Sequence, residues 1–115
     1  MSVTIYHNPR CSKSRQTLAL LRDHSTDIEV VEYLEAPPDA ATLSRILDLL
    51  GKDPREVLRK KEEPYGRLGL SDPALSGDAL IQAMVDNPIL IERPIVLANG
   101  KAALGRPPES VLEIL

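Results

Sequence analysis

The sequence predicts an α/β fold built on a mixed sheet, and three observations carry that expectation. Residues 3–6 and 28–34 are short, β-branched or alternating runs, and between them Ser14, Thr17, Leu18 and Leu21 recur at the spacing of one helix face. A helix joining two such strands predicts a parallel pair. Residues 94–97 and 101–104 are again strand-like, and Asn99-Gly100 between them suits the positive φ angles of a type I′ hairpin.

The other elements follow from local chemistry. After the Pro37-Pro38 break, Asp39 is placed to cap a helix whose Leu43, Ile46, Leu47 and Leu50 form one apolar stripe, ended by Gly51. Asp53-Pro54-Arg55-Glu56 combines an acidic cap, a proline in the first turn and a glutamate placed for a capping box, so a short helix is expected with Arg59 near its end. Residues 62–73, with Pro64, Gly66, Gly69 and Pro73, predict an irregular connection. A third middle helix is expected over 76–86, stopped by Asn87-Pro88, and a closing helix over 109–115. The order is β-α-β, helices, β-β-α, that of a thioredoxin-like mixed sheet with a helical insertion after the second strand. Such folds keep a cis proline beside the active cysteine, and Arg93-Pro94 stands at the corresponding place.

Composition narrows the function. The chain has 115 residues, expected to form a single domain spanning 1–115, without repeats or low-complexity segments. With no Phe, no Trp and three Tyr, it offers no stacking platform for bases, and 14 basic against 17 acidic residues give no broad basic footprint, so nucleic acid is not an expected partner. No run reaches the roughly 18 apolar residues of a membrane span and the N-terminus lacks a secretory apolar region, so a cytoplasmic protein without membrane contact is expected. The lone Cys11 excludes an internal disulfide, and with only His7 and His24 besides it there is no metal-ligand spacing.

Cys11 is the group on which a chemical reading centres. It falls between the first strand and the first helix, where free N–H groups and the positive end of the helix dipole favour an anion, and the thiolate is the reactive form of cysteine. Arg10, Lys13, Arg15 and a protonated His7 would act in the same direction. His7 has a second reading, as a structural ring capping the strand end. A phosphatase-type phosphate loop would need arginine at position 17, which is Thr17, and a dithiol redox motif would need cysteine at position 14, which is Ser14. What is left is monothiol chemistry, in which an external thiol attacks a partly exposed Cys11 sulfur.

Several motifs together resemble one family. Ile5-Tyr6-His7-Asn8-Pro9 with Cys11 and Ser14-Arg15, Leu58-Arg59-Lys60 ahead of Glu63-Pro64-Tyr65, Asn87-Pro88-Ile89-Leu90, Arg93-Pro94-Ile95-Val96 and Gly105-Arg106-Pro107 are similar, nearly end to end, to the ArsC family of glutaredoxin-coupled arsenate reductases. Cys11-Ser12-Lys13-Ser14-Arg15 and Ala98-Asn99-Gly100-Lys101 resemble most its short YfgD-like branch. The resemblance implies arsenate reduction for arsenic detoxification, with Cys11 as nucleophile, His7 and Ser14 supporting its thiolate, and Arg59, Arg93 and Arg106 clamping the oxyanion. It further implies no bound cofactor, glutathione as reducing co-substrate and glutaredoxin as partner.

The arginines also fit that role on chemical grounds. Guanidinium forks bind tetrahedral oxyanions in pairs and cancel the repulsion that an approaching thiolate meets. Arg93 and Arg106 adjoin prolines, where the backbone is stiff; Lys60 and Lys61 could replace Arg59, and Arg15 is as well read as a surface charge. Two other readings stand beside arsenate reduction: a glutathione-dependent thiol reductase acting on another substrate, and a Spx-like regulator that binds RNA polymerase without catalysis.

Overall fold

The computed structural model describes residues 2–24 and 27–115. These form two compact units: one runs to Ala36 and resumes at Arg93, and the other is Pro37–Glu92, the helical insertion after the second strand.

The first unit is a four-stranded mixed sheet in the order β2-β1-β3-β4, where β1 is Val3–His7, β2 Ile28–Glu32, β3 Ile95–Ala98 and β4 Lys101–Leu104. β1 pairs in parallel with β2, Ile5 opposite Val30, and antiparallel with β3, Ile5 opposite Val96. The parallel pair requires a crossover, supplied by helix α1, Ser12–His24, whose buried face is Ser14, Thr17, Leu18 and Leu21, as the spacing predicts. Val3 and Ile5 pack with Leu18 and Leu21 of α1, Val96 and Ala98 of β3, and Val111 and Ile114 of the closing segment. Strand alternation puts His7 on the same buried face of β1 as Val3 and Ile5, so the last core-facing position of the strand carries an imidazole.

The hairpin forms as expected, with Asn99 at φ 55° and Gly100 at φ 71°. The Arg93-Pro94 bond is cis, as expected, and so is Arg106-Pro107. The second strand is shorter than expected. The N–H groups of Glu35 and Ala36 both turn back to the Glu32 carbonyl, which ends the ladder there and leaves Tyr33 buried. The closing segment, Pro108–Ile114, is a 3₁₀ helix rather than an α-helix, with proline in its first turn.

In the second unit, α2 (Ala40–Leu50) is capped by the Asp39 carboxylate, which accepts from the Thr42 N–H, and ends at Gly51 with φ 66°. The Asp53–Glu56 capping box is complete, but it opens only a 3₁₀ turn over Pro54–Val57. Arg59 therefore lies beyond the turn rather than in a helix, after an isolated bridge between Leu58 and Ile91, and its N–H donates to the Leu90 carbonyl. The stretch predicted to be irregular contains α3, Glu63–Arg67, started by Pro64 in the first turn. Helix α4, Gly77–Asp86, has the Ser76 hydroxyl as its cap, packs on α2, and is followed by a 3₁₀ turn over Pro88–Leu90. Among the described residues, no helix is long and apolar enough to cross a membrane.

Candidate active site

The site in the first unit is built where β1 hands over to α1. Cys11 immediately precedes the first helical residue; its N–H donates to the Asn8 carbonyl, and its own carbonyl accepts the Arg15 N–H, the first bond of the helical ladder. Cys11 thus holds the N-cap position, and its sulfur receives the Lys13 and Ser14 backbone N–H groups as a capping oxygen would. A thiolate suits that place because these N–H groups have no partner within the helix.

The guanidinium groups of Arg93 and Arg106 complete the surroundings of the sulfur. Arg93 meets it as a hydrogen-bonding partner, and the Arg106 Nη2 lies 3.9 Å from it, while Arg106 Nε donates to the Arg93 carbonyl at 2.7 Å. Burial alone pushes the Cys11 thiol up, but the Ser14 N–H, the Arg93 guanidinium and the Lys13 N–H outweigh it, and the pKa is lowered. Burial also opposes the charge on Arg93, yet the Cys11 sulfur and the Tyr33 hydroxyl beside it prevail, and its pKa is raised.

Beneath the cysteine lies a buried polar relay. The Ser14 Oγ is 2.6 Å from the His7 Nδ1 and accepts the Asn8 N–H at 3.0 Å, while the Asn8 Oδ1 accepts the Arg10 N–H. Ser14 is fully buried, and His7 and Asn8 are each 6% exposed. This corrects one expectation. Burial, with smaller contributions from Arg22 and Arg15 and against the attraction of Glu32, lowers the His7 pKa, so the neutral ring is the favoured form. His7 therefore meets Ser14, which in turn holds the Asn8 N–H, as a neutral ring, and it does not supply a positive charge.

Two further expectations change. Cys11 keeps only 9% of its surface exposed, less than an open nucleophile, because the two guanidinium groups and the helix start close around it. Of the cations near it in sequence, Arg10, Lys13 and Arg15 are exposed, and Arg15 donates to the Pro9 carbonyl. Their side-chain charges, expected to lower the Cys11 pKa, are not among its causes; the Ser14 and Lys13 N–H groups and Arg93 are.

The structure thus brings together Cys11, Ser14, His7, Arg93 and Arg106. Arg59 belongs to the second unit, where its Nη1 donates to Glu92 at 2.9 Å and its Nε lies 3.4 Å from Glu62. Tyr33 and Asn8 are not among the site residues that the sequence predicts. The available sign for Tyr33 was an aromatic ring at the end of the second strand, in a chain with only three aromatic residues. Among the described residues, no three His, Cys, Asp or Glu side chains stand together as a metal site. The arrangement is a thiol of lowered pKa with two guanidinium groups beside it, chemistry suited to attack on a negatively charged electrophile.

Comparison with known proteins gives the family. The model of the ArsC family matches residues 6–114. YfgD of Escherichia coli K12 is 63% identical over 114 residues, covering 98% of this chain and 96% of its own. A protein named arsenate reductase from Neisseria meningitidis serogroup A is 51% identical over 114 residues, covering 98% of this chain and 97% of its own. The solved structure of an arsenate reductase from Vibrio cholerae superposes with a TM-score of 0.96 at 55% identity, covering 100% of this chain and 98% of that one.

Proposed function

The chain belongs to the ArsC family, and from that premise we propose that it reduces arsenate to arsenite with Cys11 as its single nucleophile, glutathione as reductant and glutaredoxin as the partner that restores the thiol. The observation that carries this reading is the Cys11 sulfur at the start of α1 with two guanidinium groups against it and its pKa lowered.

The reaction moves two electrons. The Cys11 thiolate adds to arsenic(V) and displaces an oxygen that leaves as water, while Arg93 and Arg106 balance the charge on the remaining oxygens, and the family resemblance assigns oxyanion binding to Arg59 as well. A glutathione thiolate then attacks the Cys11 sulfur. The S–S bond forms as the S–As bond breaks, and its electron pair goes to arsenic, which leaves as arsenite. Ser14 stands where a resolving cysteine would be, so an outside thiol must attack the mixed disulfide, and glutaredoxin fills that role. His7 and Ser14 hold the turn that aims the sulfur. The cytoplasm, with its pool of reduced thiols, suits this cycle.

The test is arsenite production by purified protein. Activity is expected only with both arsenate and added thiol, and Cys11→Ser is expected to abolish it. Sustained turnover without added thiol would overturn the monothiol cycle, and no turnover with glutathione and glutaredoxin both supplied would overturn arsenate as substrate.

A further inference from the structure

The second unit carries a depression of about 270 Å³ lined by Leu58, Arg59, Lys60, Lys61 and Glu92. That volume takes a small anion with some water and falls short of the roughly 300 Å³ at which pockets for organic ligands begin. Three cations line it, as an anion site requires, yet Glu92 sits among them and donates no proton of its own to an incoming anion. Its Oε1 lies 2.9 Å from the Arg59 Nη1, and the Glu62 carboxylate is 3.4 Å from Nε. Both ion pairs are partly shielded, with side chains only 21 to 24% exposed. These two ion pairs use the Nε and Nη1 of a guanidinium that has five N–H donors.

We propose that Glu92, assisted by Glu62, makes this depression select a tetrahedral oxyanion that still carries an O–H group, of the arsenate and phosphate kind, against one that is fully ionised, of the sulfate kind. The proposal rests on the reading that Arg59 holds the oxyanion. A carboxylate paired with a guanidinium is acceptor-only. An anion seated on the remaining Arg59 N–H groups meets the carboxylate at close range. If the anion has a hydroxyl, that hydroxyl donates to the carboxylate, and the contact becomes a charge-assisted hydrogen bond. If it has none, two sets of acceptor oxygens face each other, and a site built to pair with a hydroxyl rejects the analogue lacking it.

The experiment is calorimetric titration of the reduced full chain with arsenate, phosphate and sulfate near neutral pH, without thiol, so that no turnover is needed. The wild type is expected to bind arsenate and phosphate at least about tenfold more tightly than sulfate. Glu92→Gln, whose amide donates as well as accepts, is expected to tighten sulfate and shrink that ratio at least severalfold; Glu62→Gln shifts it less, in the same direction, and serves if the first variant does not fold. An unchanged ratio in the folded variants, or a wild type that does not discriminate, overturns the proposal. Arg59→Ala separates it from its premise. If that variant binds all three anions as the wild type does, Arg59 is no part of the oxyanion site and both readings fall; if it weakens all three while Glu92→Gln leaves the ratio unmoved, only the selectivity is wrong.

Discussion

Ser14→Ala tests the internal logic of the site most directly, because one buried oxygen serves two partners there. The Ser14 Oγ accepts the Asn8 N–H at 3.0 Å and lies 2.6 Å from the His7 Nδ1, and the residue has no exposed surface from which water could replace it. Alanine leaves both groups buried and unsatisfied. Each such group costs about 1 to 3 kcal/mol, and with partial relaxation the variant should lose about 2 to 4 kcal/mol. For a chain of this size that is a fall in melting temperature on the order of 10 °C. Chemical unfolding measures the loss, and a double-mutant cycle assigns it: His7→Leu should cost about 1 kcal/mol less in the Ser14→Ala background than alone, because the two residues share one bond. The thiolate offers a second readout. Its absorbance titration should move up in the variant, since the turn presenting the Ser14 N–H to the sulfur has lost its anchor. A stability change below about 0.5 kcal/mol, or strict additivity with His7→Leu, would refute the relay.

Further outcomes follow from the same geometry. Cys11 and His7 both have lowered pKa values in the folded protein, so the unfolded chain binds more protons and stability should rise with pH. The His7 contribution is complete above about pH 6.5 and is lost as pH falls through its lower folded value, and the Cys11 contribution is complete above the ordinary thiol range and is lost as pH falls through its own. Urea unfolding across pH should show the upper part of this rise in the wild type and not in Cys11→Ser; an identical profile would refute it. Arg93→Lys and Arg106→Lys should each lower kcat/KM for arsenate about tenfold or more while Cys11 remains alkylatable, because lysine keeps the charge and loses the fork. Arg59→Lys should do the same, and unchanged kinetics in all three would return these residues to the surface. Gly105→Ala should destabilise by about 1 to 3 kcal/mol, the range for overpacking. The added Cβ would stand 2.5 Å from the Thr17 Oγ1 and 2.7 Å from the Pro94 Cγ. An unchanged thermal midpoint would show that this contact yields freely.

What could be read from the sequence, and what could not, divides along one physical line. Periodicity and caps are local, so the α1 face, the Asp39 and Ser76 caps, the Gly51 stop and the Asn99-Gly100 turn were all legible. The choice between α and 3₁₀ geometry at Pro54–Val57 and Pro108–Ile114 depends on how a short segment meets its neighbours, and composition does not carry it. The same holds within the site. Cys11 was legible because a helix start favours an anion whatever surrounds it, whereas the charge on His7 was misread. Proximity in sequence suggested a cation, but strand alternation sends its ring to the buried face of β1, where desolvation decides its protonation. Two consequences of that burial belong together. A neutral His7 adds no charge to the cluster at Cys11, so the anion stabilisation there falls to the Ser14 and Lys13 N–H groups and to arginines some 80 and 95 residues away in sequence. Arg93 reaches the sulfur because it precedes β3, which pairs with β1, and Arg106 because β4 runs back along β3, Leu104 opposite Ile95, and returns the chain to the same end. The thiolate is therefore a product of the sheet order as much as of the motif around it, and a change that weakened the β1–β3 pairing should raise the Cys11 pKa without touching any residue of the site.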